Sequence, residues 1–201
     1  MVGKIAVSQI QNLIIAYKER FDRNNFFQNL ILDNLLLVDI YNRAQKLHIE
    51  VEGPRIVYLV ETRLEKDSSG MELLRSLFSS QNGDYITAVD EKNIILIKAV
   101  ERDASPESLE LVANTIVDMM NSEAMLKVRV SYGTVVQELR EVSKSYKEAT
   151  MAMDVGRISM RKKCHRIFYA GNRTSDLPAA RQSVPDFHRR DFRWQSGLRS
   201  G

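Results

Sequence analysis

The stretch YITAVDEKNIILIKAV, residues 85–100, decides how this chain folds. Two apolar, largely β-branched runs, Tyr85 to Val89 and Ile94 to Val100, flank the polar tetrad Asp90, Glu91, Lys92, Asn93. β-Branched and aromatic side chains fit a pleated surface, whereas Asp and Asn favour turns because their short side chains bond the adjacent backbone. Spacing and composition together predict two strands joined by a tight hairpin.

Working outward, Ile56 to Val60 has the same composition and reads as another strand, set off by a boundary at Glu52, Gly53 and Pro54. Met71 to Phe78 reads as a short helix entered through Asp67, Ser68, Ser69 and Gly70. After the hairpin, Ser105, Pro106 and Glu107 stand in the order N-cap, first-turn proline and first-turn acid. The helix they open has Leu109, Val112, Ala113, Ile116, Val117 and Met120 on one face. Lys127 to Tyr132 is a strand ending at Gly133, and a last helix runs from about Val136 to Val155. Its apolar face is Leu139, Val142, Tyr146, Ala149 and Met153, and Gly156 is placed to cap it. The order β-α-β-β-α-β-α predicts an α+β domain with its helices on one face of the sheet.

Upstream, residues 4–48 read as helix almost throughout. Ile10, Leu13, Ile14, Tyr17 and Phe21 recur at three- and four-residue spacing, and a break is expected near Asp22, Arg23, Asn24 and Asn25. A second helix follows with Leu30, Leu37, Ile40, Tyr41, Ala44 and Leu47. The run LILDNLLLV, residues 30–38, is apolar nearly all round and needs cover from another element or a second subunit. Ile10, Leu13, Tyr17, Leu37, Ile40 and Tyr41 form the expected dimer or relay face, with packing onto the domain an equal alternative. The chain divides into a helical coupling segment (1–50), a regulatory domain (51–159) and a basic tail (160–201).

Charge is unevenly placed. The tail holds ten basic and three acidic residues, so residues 1–159 carry −4 of an overall +3. The basic pI therefore belongs to the tail and not to a nucleic-acid surface on the body. No run of about eighteen apolar residues and no leader pattern occurs, so the expectation is a cytoplasmic protein without membrane contact. The single cysteine, Cys164, offers neither a disulfide nor a cysteine metal site. His48 is the only histidine of the body and reads as a surface residue; phosphate-binding loops and metal-ligand spacings are missing from the sequence. Arg140, Lys144 and Lys147 alternate with Glu138, Glu141 and Glu148, the pattern of a solvated helix.

The blocks DNLLLVDIYNRAQKLHI, TAVDEKNIILIK and TIVDMMNSEAMLKVRVSYGTVVQELREVSKSYKEATMAMDVGRI resemble the middle segment of bacterial carbohydrate-diacid regulators and the related purine-catabolism regulators. The resemblance covers roughly Ile5 to Ser159. It implies a GGDEF-like central domain, similar in fold to nucleotide cyclases and hence ferredoxin-like, between a sensor region and a helix-turn-helix. By the same resemblance the protein is a homodimeric transcriptional regulator of sugar-diacid utilisation. Its effector would be a small carbohydrate acid bound outside this chain, and DNA would be met only through the helix-turn-helix of the intact parent, before which this sequence is truncated.

In cyclases of this fold the hairpin carries glycines and the carboxylates that hold divalent cations. Here its positions read Asp90, Glu91, Lys92, Asn93 and Ile94, with Lys92 and Asn93 where carboxylates belong. Glu61, after the first strand, takes the place of a metal-binding aspartate but reads as a solvated side chain. The resemblance thus implies a domain without catalysis, metal or cofactor. A diverged cyclase or nucleotide-binding domain, and a pure dimerisation module, are the alternatives.

The tail departs from this pattern, yet its codons permit the expected continuation. Shifted by one base from Lys162 and Lys163, residues 163–168 permit NVIAY, residues 172–181 permit IGRLIYQLP, and residues 187–197 permit FIEEIFGGNP. The expectation is a frameshifted, poorly ordered segment. Its alternative is a basic arm in which Arg189, Arg190 and Arg193 flank Phe192 and Trp194 for stacking on nucleic acid.

Overall fold

The computed structural model describes residues 2–62, 68–78, 83–159 and 167–169. All belong to one compact unit, Met1–Gly171. The elements are α1 (Val2–Ile31), α2 (Leu37–Lys46), β1 (Glu52–Thr62), α3 (Ser68–Leu77), β2 (Tyr85–Ala88), β3 (Asn93–Ala99), α4 (Pro106–Ser122), β4 (Val128–Tyr132), β5 (Val136–Glu138), α5 (Val142–Ser159) and β6 (Ile167–Tyr169). A single turn of 3-10 helix, Leu139–Glu141, joins β5 to α5.

The hairpin forms as its sequence demands: β2 and β3 pair antiparallel, with Tyr85 opposite Ile97 and Ala88 opposite Ile94. β1 is the middle of the sheet, whose order is β2-β3-β1-β4-β6 with β5 also on β1. On one side β1 pairs antiparallel with β3, Tyr58 opposite Leu96; on the other with β4, Tyr58 opposite Tyr132. Ser105 caps α4 as expected, its Oγ accepting the Ser108 N–H at 3.2 Å.

Helices cover both faces of this sheet, not one. Val57, Leu59, Ile95 and Ile97 pack against Phe26, Phe27, Leu30 and Ile31 of α1, Ile40 and Ala44 of α2, and Ala149 and Met153 of α5. Ile56, Tyr58, Val60, Ile94 and Leu96 pack on the other face against Leu74 of α3 and Ala113, Ile116 and Met120 of α4. The reason is visible in β1 and β3 themselves. Neither alternates apolar with polar, so each presents an oily surface on both sides that water cannot be allowed to meet.

Three boundaries also differ from the sequence expectation. α1 does not end at residues 22–25 but continues to Ile31. Asp and Asn are disfavoured inside a helix by only about 0.7 kcal/mol each, less than the burial of Phe26 and Phe27 next to them returns. Asn24 is also used there, its Oδ1 accepting the Thr87 hydroxyl at 2.8 Å. The break falls instead at Leu32 to Leu36, where Asp33 adopts φ 62°.

The second difference is β5, which occupies the start of the expected last helix and pairs with the beginning of β1, Val136 opposite Arg55. α5 then runs through the buried Gly156 to Ser159 and is not capped by it. Third, Ile167–Tyr169, inside the segment expected to lack structure, lies parallel to β4 as an edge strand. The rest of the frameshift reading, and the arm containing Arg189 and Trp194, lie outside the described residues.

One joint fixes α5 to the sheet. The Val57 N–H donates to Ser145 Oγ at 3.1 Å, and the Ser145 hydroxyl donates to the Thr134 carbonyl at 2.8 Å. Beside it the strand passes so close to the helix that a Cβ on Gly133 would stand 2.1 Å from the Ser145 carbonyl oxygen. Only glycine fits there. One turn further on, the buried Ser131 hydroxyl donates to the Ala149 carbonyl at 2.8 Å.

Candidate functional site

The hairpin loop and the end of β1 meet at one edge of the domain. The Thr62 N–H donates to the Lys92 carbonyl at 2.8 Å, and Glu61 lies opposite Asn93 in the β1–β3 register. The topology thus brings together the two places the sequence singled out, residues 90–94 and Glu61.

Within the loop, Asp90 is turned inward on its own backbone. Its Oδ1 accepts the N–H groups of Lys92 (2.8 Å) and Asn93 (2.7 Å), and its Oδ2 accepts from Asn93 Nδ2 at 2.7 Å. Partial burial pushes the Asp90 carboxyl up. The hydrogen bonds from Asn93 and the Lys92 and Asn93 amides, with the nearby Lys92 charge, outweigh it and hold the group below its usual value. Asp90 is the turn's clasp, a role that Asp fills at hairpins. Glu91 and Lys92 are exposed, and Ile94 is buried beneath α3 and α4 in the core.

Glu61 is not simply solvated. Its side chain is only 11% exposed and is gripped by two guanidinium groups, Arg129 from β4 and Arg157 from the end of α5. Arg157 also pairs with Asp154 at 2.9 Å. Both oxygens of Glu61 therefore face cations of the chain itself. A divalent cation needs several anionic or carbonyl oxygens around it; here Asp90 is engaged by its own turn and Glu61 by two arginines, which leaves the exposed Glu91. Among the described residues, no three His, Cys, Asp or Glu side chains come together in a group that could hold a metal ion. The described residues at this edge do not fit a metal-dependent nucleotide site.

Arg129 and Arg157 escaped the sequence reading because nothing in their spacing ties them to Glu61; only the sheet order and the length of α5 do so. The expected dimer or relay face divides. Ile10, Leu13 and Tyr17 are each more than half exposed on α1, whereas Ile40 is 7% exposed and belongs to the core, so it is closed to any partner. Leu37, one turn before it, and Tyr41, the next residue, are 47% and 40% exposed. His48 is exposed at the end of α2 with φ 53°. Arg140 pairs with Glu138 at 2.7 Å, and Lys147 reaches Asp33 at 2.9 Å. The Lys147 hydrogen bond and charge lower the pKa of that aspartate.

No helix among the described residues is long and apolar enough to cross a membrane. Residues 34–155 match the family described as "GGDEF-like domain". Among solved structures the chain is similar to a microbial GGDEF domain described as having a novel interaction mode with bis-(3′,5′)-cyclic di-GMP. The two are 17% identical over 73% of this chain and 92% of that one, with a TM-score of 0.46. No curated protein matches the chain.

Proposed function

Because the chain belongs to the GGDEF-like domain family, we propose that it is a non-catalytic member, the relay core of a cytoplasmic bacterial transcriptional regulator of sugar-diacid or related carbon catabolism. The observation that carries the non-catalytic reading is the capture of Glu61 by Arg129 and Arg157 beside a hairpin whose aspartate clasps its own turn. A catalytic edge would leave carboxylates free for cations; this edge uses Glu61 to hold β1, β4 and α5 together and Asp90 to hold the hairpin.

The relay reading follows from α1. Its C-terminal turns, with Phe26, Phe27, Leu30 and Ile31, are built into the core. Its earlier turns show Val7, Ile10, Ile14, Tyr17 and Phe21 to solvent. These alternate three and four residues apart, the seam of a two-stranded coiled coil, so the occupant is a second copy of the same helix. A movement at that seam passes directly to the sheet through the four core residues. DNA contact would come from a helix-turn-helix elsewhere in the regulator, and the effector from its sensor region.

Incubation with GTP and Mg²⁺ or Mn²⁺ tests the first part: no cyclic or linear dinucleotide and no pyrophosphate is expected, and either product overturns it. Sedimentation tests the second. The full chain should sediment as a dimer and residues 23–201 as a monomer; a monomeric full chain refutes the seam.

A further inference from the structure

Away from the hairpin, α1, the end of α3 and the start of β2 enclose a cleft of about 400 Å³. That is within the size range of small-molecule sites, roughly 300–1,000 Å³. Arg20 and Arg23 of α1 and Arg75 of α3 line it, with Phe27, Phe78 and Tyr85 supplying aromatic walls. We propose that this cleft is a binding site for a small organic dianion, held between α1 and the domain by Arg20, Arg23 and Arg75.

The charge balance selects the ligand. Two acids also line the cleft, Glu19 and Asp84. Asp84 is already satisfied, paired with Lys98 at 3.0 Å and accepting the Ala99 N–H at 2.9 Å. Of the lining acids only Glu19 is left to face the three arginines, so the lining itself carries an excess of two positive charges, with Glu72 acting on Arg75 from outside it. None of the three has an ion pair among the described residues, and the Nε–H of Arg23 is buried without a hydrogen-bond partner. A buried donor left unmade costs about 1–3 kcal/mol, a cost that an anion seated against Arg23 would offset.

The arginines also repel one another. Burial first, and the neighbouring Arg20 charge second, lower the pKa of Arg75. Guanidinium groups bind carboxylate and phosphate through paired, planar hydrogen bonds, whereas lysines would act as point charges. Phe27 and Tyr85, with ring centroids 4.2 Å apart, give the cleft an apolar wall suited to the carbon skeleton of such a ligand. Phosphate monoesters and dicarboxylates share this dianionic chemistry.

Arg20 and Arg23 sit on the coupling helix and Arg75 on the domain, so occupancy would replace repulsion across the cleft by a bridge. This consequence rests on the relay reading; the binding itself does not. Calorimetric titration of the full chain with ribose 5-phosphate and, separately, with glutarate tests the site. At least one should bind, and Arg23→Gln and Arg75→Gln should each weaken it ten-fold or more while the surface control Arg140→Gln leaves it unchanged. Binding of the first alone identifies a phosphate monoester, of the second alone a dicarboxylate. No heat with either ligand up to about 10 mM, a concentration that would reveal Kd values of order 1 mM, overturns the proposal. So does equal affinity in folded Arg23→Gln and Arg75→Gln proteins, whatever the sedimentation result.

Discussion

Replacing Ser145 by alanine removes one oxygen and unties α5 from the sheet. The Val57 N–H points into the gap between β4, which pairs with β1 from Tyr58 onward, and β5, which pairs with it only as far as Arg55. Ser145 Oγ is its acceptor there, and Val57 is fully buried. Leaving such a donor unmade costs about 1–3 kcal/mol. The Thr134 carbonyl also loses its donor, but Thr134 is half-buried and water can replace it. Alanine gains back up to about 0.5 kcal/mol of helix propensity. The net loss is about 2 kcal/mol, which for a chain of this length lowers Tm by about 4–8 °C.

Thermal and urea unfolding followed by circular dichroism measure the loss. Gly133→Ala drives a Cβ into the same joint from the other side and should cost at least as much, since overpacking alone costs about 1–3 kcal/mol. Because both changes break one joint, the double variant should lose less than the sum of the singles by about 0.5 kcal/mol or more. A Ser145→Ala protein within about 1 °C of its parent, or strict additivity in the cycle, refutes the reasoning.

Glu61→Gln should destabilise the domain by about 1–2 kcal/mol in urea titrations. This is less than for a fully buried pair, because Arg129 and Arg157 both reach solvent. Asp90→Ala should cost only about 0.5–1 kcal/mol, its carboxylate being exposed. Since folding lowers the Asp90 pKa, its contribution is complete above the unfolded value near 3.8 and is lost as pH falls through the lower folded value. The gap between Asp90→Ala and parent should therefore close below about pH 4. Deleting residues 1–36 removes Phe26, Phe27, Leu30 and Ile31 from the core. At about 2–5 kcal/mol each this exceeds the stability of a typical domain, so residues 37–201 should show no cooperative unfolding, whereas residues 23–201 should.

The strands and the hairpin were legible because their signals are local: β-branched runs, a turn of Asp and Asn, an Ser-Pro-Glu helix start. The second helical layer was signalled as well, by the lack of alternation in Ile56 to Val60 and Ile94 to Ile97, although the order of elements alone suggested one covered face. Ile40 packs into the domain, one of the two alternatives, because periodicity says that a helix has an apolar face without saying what covers it. Arg129, Arg157 and the three arginines of the cleft were invisible for a different reason. Each is an ordinary charged residue until the fold sets it beside a partner tens of residues away, as Arg157 is to Glu61.

α1 is held to the domain through its C-terminal turns, and its first turns carry exposed apolar residues. From Phe26 back to Val7 is nineteen residues, about 28 Å at 1.5 Å per residue. Pivoting the helix by about 10° at its buried end swings Val7 sideways by about 5 Å, close to the radius of a helix with its side chains. The domain thus carries a lever whose short arm ends in the core and whose long arm carries the exposed apolar residues proposed above as a dimer seam. A shift of about 1 Å in the packing around Phe26 to Ile31 would be read at the far end as a sideways step several times larger.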